Sequence, residues 1–305
     1  MAVARDTVLV TGAAGFIGRR IADALVARGH RVIGTDVHPP AQPTGFEVYQ
    51  ADVRDTTRHA PVVAGCDAIV HCGGISGPMV LADNPAEVVD INIRGTAGLL
   101  ALARGVGLRR FVGLSSVSAY GNTGTRQVVD EDTPLTATNA YGTSKAASDL
   151  LIQSYAGNYG LSAAALRIGW VYGPGRVTDA LIQPMVRSAR GQPCDLAAGG
   201  DHALQFVHVE DVVSAALAAL AVETLPSAVF NINGADMLTV RQMAAMIARH
   251  YPGVRITLGP GLLPDTDVQG RMDLTRAARD LGWTPAVDFA GGLAAYVDWL
   301  KAHPF

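Results

Sequence analysis

The segment VLVTGAAGFIGRRIADAL, residues 8–25, constrains the fold more than any other feature of the sequence. A β-branched run leads into three glycines, Gly12, Gly15 and Gly18, and apolar residues then recur at helical spacing. This order predicts a strand, a tight turn and a helix. Glycines in such a turn let a phosphate group approach the backbone at the helix N-terminus.

A carboxylate follows the next predicted strand, Arg31–Thr35, at Asp36. At that point of a dinucleotide-binding fold, a carboxylate accepts hydrogen bonds from the ribose hydroxyls of NAD and repels the 2′-phosphate of NADP. The next two residues, Val37 and His38, offer no arginine that would reverse this preference. The sequence therefore predicts that NAD is the cofactor.

Short β-branched runs alternate with helical patterns through the first half of the chain. Further strands are predicted at Phe46–Tyr49, Ala68–His71, Phe111–Ser115 and Ala163–Ile168, with long helices at Pro85–Arg104 and Tyr141–Tyr159. Strands that alternate with helices imply right-handed crossovers and a parallel sheet covered on both faces. The predicted fold class is therefore α/β, a Rossmann-type doubly wound parallel sheet.

The alternation loosens after residue 168. Helical patterns near 179–190, 209–222, 239–250 and 289–303 are separated by short strands and Gly/Pro loops. We expect an NAD-binding Rossmann domain over residues 1–168 and a smaller C-terminal substrate-binding lobe over 169–305. The chain is expected to cross between the two, and the lobe to close a cleft above the strand ends.

Composition argues against several other classes of protein. Hydrophobic residues make up 49% of the 305 residues and charged ones 17%, which supports a large core and argues against disorder. A net charge of −3 without a dense Lys/Arg cluster argues against a nucleic-acid partner. The longest apolar stretch, 214–222, is too short to span a bilayer, and no apolar signal segment precedes the first strand. Three cysteines without Cys-x-x-Cys spacing predict neither a metal site nor a disulfide framework, so we expect a cytoplasmic protein.

The stretch NAYGTSKAAS, residues 139–148, places Tyr141 four residues before Lys145. On a helix the two side chains share one face. Such a pair is common by chance on protein surfaces, so its meaning depends on the motifs around it. Two of these are NIRGT at 92–96 and LSSVSAYG at 114–121.

Together with the glycine loop and Asp36, these motifs resemble the extended short-chain dehydrogenase/reductases, and within them the NAD-dependent epimerase/dehydratase family. The resemblance continues through LRIGWVYGPG, FVHVEDVVSAAL, FNINGADMLTV and DLTRAARDLGWTPAVDF, so it covers nearly the whole chain. It implies hydride transfer between NAD and a carbinol carbon of a small-molecule substrate. It also implies a homodimer in which the helices Pro85–Arg104 and Tyr141–Tyr159 pack into a four-helix bundle.

By this resemblance Tyr141 is the general acid/base, Lys145 holds the nicotinamide ribose, and Ser116 hydrogen-bonds the reacting oxygen. A phenol titrates near 10 when unperturbed, so a fixed cation nearby must favour the phenolate before it can accept a proton. Ser115 competes with Ser116 for its role, and the register of AYG at 119–121 favours Ser116. Ser118 is a second candidate hydroxyl.

The expected site holds further residues. Asp52 is expected either to contact the adenine or to cap the next helix. Gly73 and Gly74 end the fourth strand, where small residues would let the cofactor pass. Asn92 is expected to order a water or a helix beside the cofactor, or to be a purely structural helix residue. The full cofactor-binding set is Gly12, Gly15, Phe16, Ile17, Gly18, Asp36, Asp52, Val53, Cys72, Gly73, Gly74, Asn92, Tyr141 and Lys145.

Two departures from the family pattern bear on the reaction. Dehydratases carry an Asp-Glu pair after the catalytic residue, where this chain has Val117 and Ser118, which argues against dehydration. Sugar-nucleotide enzymes carry Asn where this chain has Trp170, and Arg where it has Leu204. Because a diphosphate needs cations or donors, their loss favours a smaller substrate such as a sugar or sugar acid. Arg271 lies near a third anchor position, but not in a convincing register.

The expected substrate-binding set is Ser76, Ser116, Ser118, Trp170, Tyr172 and Arg176. Trp170 and Tyr172 either stack on a sugar face or pack the lobe interface. Arg176 and Arg187 are candidates to hold a carboxylate, or are solvated surface residues. Two reactions stay open alongside a non-catalytic NAD sensor: an NAD-linked dehydrogenase of a small polyhydroxylated substrate, which we prefer, and a sugar-nucleotide 4-epimerase with tightly bound NAD.

Overall fold

The computed structural model describes residues 5–124 and 126–303, so the first four residues, which bear on the predicted lack of a signal segment, lie outside it. The helices are α1 Phe16–Ala27, α2 Thr56–Val63, α3 Pro85–Val89, α4 Gly95–Gly105, α5 Ala140–Tyr159, α6 Ile182–Arg187, α7 Val209–Ala221, α8 Val240–His250, α9 Thr275–Leu281 and α10 Phe289–Ala302. The strands are β1 Thr7–Thr11, β2 Arg31–Asp36, β3 Glu47–Gln50, β4 Ala68–His71, β5 Arg110–Ser116, β6 Val128–Val129, β7 Ala163–Ile168, β8 Trp170–Tyr172, β9 Cys194–Leu196, β10 Ala203–His208, β11 Val229–Ile232, β12 Met237–Thr239, β13 Ile256–Leu258 and β14 Arg271–Met272.

A parallel sheet of seven strands dominates the described part of the chain, in the order β11-β7-β5-β4-β1-β2-β3. The predicted α/β Rossmann class is therefore confirmed, and the six strands predicted in the first half occur within one residue at each end. The order reverses between β1 and β4. In such sheets ligands bind outside the carboxyl ends of the strands at this switch point.

The seventh strand comes from the second half of the chain. Strand β11 pairs with β7 from Val229↔Ala165 to Ile232↔Ile168, so the chain returns to the large sheet after residue 168. Between β7 and β11 the chain forms β8 and β10, which pair with each other. Strand β10 also pairs with β12. The division of the chain at residue 168 remains a prediction, with β11 as its crossing element.

Two large apolar clusters support these parts. One lies under the sheet and includes Val10, Ile21 and Val212, from β1, α1 and α7. The other lies in the lobe and includes Phe206 and Tyr296, from β10 and α10. Helix α7 follows β10 directly and packs in the first cluster, so the lobe and the sheet are joined by continuous structure.

The predicted helices need several corrections. The predicted helix Pro85–Arg104 is interrupted by a π-helical turn at Asp90–Arg94 and resumes as α4. The helix expected near 179–190 begins only at Ile182, because the carboxylate of Asp179 accepts hydrogen bonds from the amides that start it. A helix after Asp52 was anticipated without bounds and is α2, whereas α9 was not predicted. Val89 and Leu150 on α3 and α5 are exposed, and the homodimer expected there remains a prediction.

No helix in the described ranges is both long and apolar enough to cross a membrane.

A buried histidine connects three elements of the Rossmann part. The His71 ring at the end of β4 bonds to Thr11 on β1 through Nδ1 (2.8 Å) and to Thr96 on α4 through Nε2 (3.1 Å). Burial, with the Lys145 charge as a smaller contribution, lowers the pKa of His71 from 6.5 to about 3. His71 is therefore neutral in the folded protein at neutral pH.

This histidine predicts a loss of stability in acid. Unfolded His71 binds a proton near pH 6.5, whereas folded His71 binds one only near pH 3, so acid favours the unfolded chain between these values. When the pH falls from about 7.5 to about 5, the free energy of unfolding of both proteins should decrease. We expect the decrease to be about 2 kcal/mol smaller for His71→Gln than for the wild type. Urea unfolding at several pH values measures this. The exposed His38→Gln control should follow the wild type, and equal pH slopes for His71→Gln and wild type would contradict the prediction.

Candidate active site

The predicted phosphate loop lies between β1 and α1 at the switch point. Gly12 has φ +67°, and a β-carbon there would lie 2.8 Å from the backbone nitrogen of Gly73. A β-carbon at Gly18 would overlap the carbonyl oxygen of Gly12. Both positions therefore require glycine, the first for its backbone conformation and both for close approach.

The N-terminus of α1 fits a pyrophosphate. Its N-cap is Gly15, no side chain caps the first turn, and no acidic residue lies in that turn. The first amide groups therefore keep their hydrogen-bonding capacity for an anionic ligand. The Ile17 side chain packs against the sheet core, and the Phe16 ring lies 4.7 Å from the Arg20 guanidinium.

Asp36 lies where a ribose is expected. Its Oδ2 accepts a hydrogen bond from the Ala14 amide (2.9 Å), and its Oδ1 accepts one from the His38 amide (3.1 Å). The carboxylate thus holds the phosphate loop and ends β2 at the same time. Each oxygen keeps a lone pair, so both ribose hydroxyls can still be accepted.

The carboxylate of Asp52 is held by a neighbouring arginine. Arg54 donates to both of its oxygens, from Nε (3.0 Å) and Nη2 (2.6 Å), and this hydrogen bonding lowers the pKa of Asp52. Asp55 caps α2, so the alternative role of Asp52 as a helix cap is wrong. The adenine contact remains a prediction. Val53 packs where a β-carbon on Gly73 would collide with it.

Small residues line the end of β4 as expected. Burial raises the pKa of the Cys72 thiol to about 12, so it stays protonated. A β-carbon on Gly74 would lie 2.5 Å from Oδ1 of Asn92, which keeps the two segments in close contact.

Asn92 forms three side-chain hydrogen bonds within the protein. It lies buried in the π-helical turn, where its Oδ1 accepts from the Ile75 amide (2.8 Å). Its Nδ2 donates to the Ile75 carbonyl (3.2 Å) and to Oγ of Ser144 on α5 (2.8 Å). Asn92 therefore connects the β4–α3 loop to α5, and its contact with the cofactor remains a prediction.

Tyr141 and Lys145 share one face of α5, as predicted. Tyr141 lies in the first turn, which Asn139 caps, and it is 9% exposed. The Lys145 ammonium lies 5.9 Å from the centre of the Tyr141 ring and donates to the Leu114 carbonyl of β5 (2.9 Å). This bond fixes the cation beside the phenol and connects α5 to the strand that ends in Ser116.

The serines lie at the end of β5. The Ser116 hydroxyl accepts from the Ser118 amide (3.1 Å) and begins a 3₁₀ turn over Val117–Tyr120. A β-carbon on Gly142 would lie 2.5 Å from the Ser118 carbonyl oxygen, so the serine turn packs closely on the start of α5. Ser115 is buried and lines a cavity with His71 and Lys145. Its competition with Ser116 remains open.

The structure separates the two aromatic residues on the substrate side. Tyr172 is 1% exposed and packs among Phe206, His208 and Phe289, so its predicted substrate contact is corrected to a core role. Trp170 is half-buried, and its ring lies 5.9 Å from Phe206. It also lines a cavity beside the serine turn.

The remaining substrate candidates differ in exposure. Ser76 is exposed in the β4–α3 loop. The Arg176 guanidinium lies 5.7 Å from the Phe16 ring of the phosphate loop, and its buried Nε has no hydrogen-bond partner in the protein. The Arg176 guanidinium therefore lies beside the cofactor loop with one donor unpaired.

Two residues of the site were missed by sequence reasoning. Gln269 donates to the carbonyls of Val117 and Gly121 (2.8 and 3.1 Å), which holds the serine turn from the lobe side. Arg20 on α1 donates to the carbonyl of Pro174, in the loop after β8. Gln269 carries no sequence pattern. The repeated arginine after Gly18 was the only signal for Arg20.

Comparisons with known proteins agree with this geometry. The family model described as "NAD dependent epimerase/dehydratase family" matches residues 8–233. A UDP-glucuronate 4-epimerase of Thermodesulfobacterium geofontis is 25% identical, over 97% of this chain and 96% of its own. A dTDP-glucose 4,6-dehydratase of Streptomyces niveus is 29% identical, over 96% and 92%.

Among solved structures, MoeE5 in complex with UDP-glucuronic acid and NAD is similar, with 29% identity and a TM-score of 0.88. The match covers 97% of this chain and 99% of that one. The family match includes the phosphate loop, Asp36, the serine turn and the Tyr141–Lys145 pair. The chain therefore belongs to the NAD-dependent epimerase/dehydratase family of extended short-chain dehydrogenase/reductases, and its cofactor is NAD.

Proposed function

We propose that this protein is an NAD-dependent oxidoreductase that acts on a carbinol carbon of a small polyhydroxylated substrate, such as a sugar or sugar acid. The observation that carries the proposal is the cavity beside the serine turn. No charged side chain of the described residues lines it. Its lining is mostly apolar, with Val117, Trp170, Leu204, Met237 and Met272, and its polar side chains are the neutral amides of Gln205, Asn233 and Gln269.

Leu204 is central to this argument. It is 5% exposed on β10, lies opposite Leu238 of β12, and belongs to the apolar cluster of the lobe. A diphosphate in this region would meet leucine where its charge needs a cation or several donors. Arg271 is exposed, and its guanidinium donates to the Ala235 carbonyl (3.3 Å).

The proposed chemistry uses three side chains. NAD, when bound, accepts or returns a hydride. Tyr141 takes the proton of the reacting hydroxyl, the Lys145 ammonium favours the phenolate, and Ser116 donates a hydrogen bond to the reacting oxygen. We assign Arg176 to a carboxylate on the substrate, since its guanidinium has an unpartnered donor beside the phosphate loop.

A sugar-nucleotide 4-epimerase is the second candidate. Relatives named as UDP-sugar 4-epimerases cover almost the whole chain at 25% and 28% identity, and this observation favours it. In that reaction the hydride returns to the substrate, so no NADH is released. The two candidates differ in product and can be separated directly.

A substrate panel tests the proposal. The purified protein with NAD is offered aldoses, uronic acids and aldonic acids, and in parallel UDP- and dTDP-sugars. We expect NADH absorbance at 340 nm with a small substrate, and no conversion of the nucleotide sugars by chromatography. Interconversion of a nucleotide sugar without net NADH would replace the proposal by the epimerase.

Tyr141→Phe should abolish turnover while NAD still binds. The variant keeps the ring that packs at the start of α5 and loses only the group that exchanges the proton, so we expect kcat to fall at least about 100-fold. Turnover and calorimetric titration with NAD measure the two properties. Tyr155→Phe, farther along the same helix, is the matched control. Near-wild-type activity of Tyr141→Phe would refute the acid/base assignment.

Asp36→Ala should weaken NAD binding about 10-fold or more and reduce the discrimination against NADP. The variant loses the acceptor for the ribose hydroxyls and the negative charge that repels a 2′-phosphate. Asp36→Asn retains an acceptor but no charge, so it should relax discrimination with a smaller loss of NAD affinity. Unchanged dissociation constants for both cofactors would remove Asp36 from the ribose site.

A further inference from the structure

A buried ion pair lies directly behind the proposed catalytic residues. Arg167 on β7 donates to both carboxylate oxygens of Asp149 on α5, at 2.9 and 3.1 Å. The two side chains are only 3% and 0% exposed. Because taking two charges out of water is costly, an ion pair buried this deeply needs further hydrogen bonds to be stable.

Tyr120 supplies one of those hydrogen bonds. Its hydroxyl accepts from Nη1 of Arg167 (2.8 Å) and donates to Oδ1 of Asn231 on β11 (2.7 Å). The Arg167 guanidinium also lies 4.8 Å from the centre of the Tyr120 ring. Burial raises the pKa of Tyr120 to about 12, so its hydroxyl remains protonated and keeps donating to Asn231.

Two members of this network, Asp149 and Tyr120, belong to elements of the proposed active site. Asp149 lies four residues after Lys145 and eight after Tyr141, so it continues the same face of α5. Tyr120 is the last residue of the 3₁₀ turn that begins after Ser116. The network therefore joins the helix of the acid/base to the turn of the serine, at a site separate from the Lys145–Leu114 bond.

The far side of the network is also fixed. Asn231 Nδ2 donates to the carbonyls of Val129 and Asp273 (3.0 and 3.2 Å). The backbone amide of Asn231 donates to Oε1 of Glu131 (2.9 Å). The partner of the Tyr120 hydroxyl is thus itself held by three further residues, from two other segments of the chain. Tyr120 cannot rotate without leaving a buried acceptor and a buried donor unpaired.

We propose that Tyr120 is a positioning residue, which sets the Ser116 hydroxyl relative to Tyr141 through its bonds to Arg167 and Asn231. The inference rests on the proposed role of Ser116 and holds for either candidate reaction. Tyr120 itself touches neither substrate nor cofactor in this account. Its effect is to limit the movement of the 3₁₀ turn after Ser116. A displacement of this turn by about 1 Å would move the Ser116 hydroxyl out of alignment with the reacting oxygen.

A double-mutant cycle of Tyr120→Phe and Ser116→Ala in the full-length protein tests this inference. Turnover is measured with the substrate that the panel identifies. Tyr120→Phe keeps the ring and removes the hydroxyl. We expect it to lower kcat roughly 10-fold with an unchanged dissociation constant for NAD, because the serine turn is displaced while the phosphate loop is not. In a Ser116→Ala background, where no hydroxyl remains to be aligned, the same change should alter kcat less than about two-fold.

Tyr155→Phe is the control for a loss of stability alone, since Tyr155 packs on the same helix outside the network. It should leave kcat unchanged in both backgrounds. A fall in kcat of equal size for Tyr120→Phe with and without Ser116 would overturn the inference, as would a wild-type kcat with a lowered melting temperature. Ser116→Ala with full activity would instead refute the proposed role of Ser116, and with it the inference.

Discussion

The close approach of two backbone segments at the end of β1 and β4 organises the rest of the site. Gly12 lies against Gly73, and the Gly73 amide donates to the Thr11 hydroxyl (3.0 Å). The same hydroxyl bonds to His71. The connections after β1 and β4 lead in opposite directions at the switch point, and this contact keeps the phosphate loop and the loop after β4 together at the carboxyl ends of the strands. Only glycine allows it, because any side chain would separate the strand ends.

Much of this arrangement follows from local sequence patterns. The strands up to residue 168 are recognisable because most are short runs of apolar residues followed by turn residues, and the Tyr141–Lys145 face follows from helical spacing. The bounds of helix α2 escape such reasoning because Pro61 lies inside it, and proline normally ends a helix. The pairing of β11 with β7 joins residues more than 60 positions apart, and no local pattern encodes that contact.

The corrected role of Tyr172 shows a second limit. Trp170 and Tyr172 lie two apart on β8, yet the first lines a cavity and the second fills an aromatic core. Spacing alone does not determine which of the two aromatic side chains packs against Phe289, which lies on the distant helix α10. Asn92 is similar, because its partners come from a loop and from α5. Family motifs locate such residues in the chain, but tertiary contacts decide whether they face a ligand or the protein.

The return of the chain to the large sheet at β11 also affects how the protein can be made. Until Val229–Ile232 has left the ribosome, β7 has an unpaired edge, and exposed strand edges promote association with other chains. The lobe strands β8 and β10 are synthesised in this interval, before the sheet is complete. Arg110 on β5 also needs residues from the second half of the chain. Its guanidinium donates to the carbonyls of Ala219 and Val222 at the end of α7. The large sheet is therefore complete only after the lobe strands β8 and β10 have been synthesised.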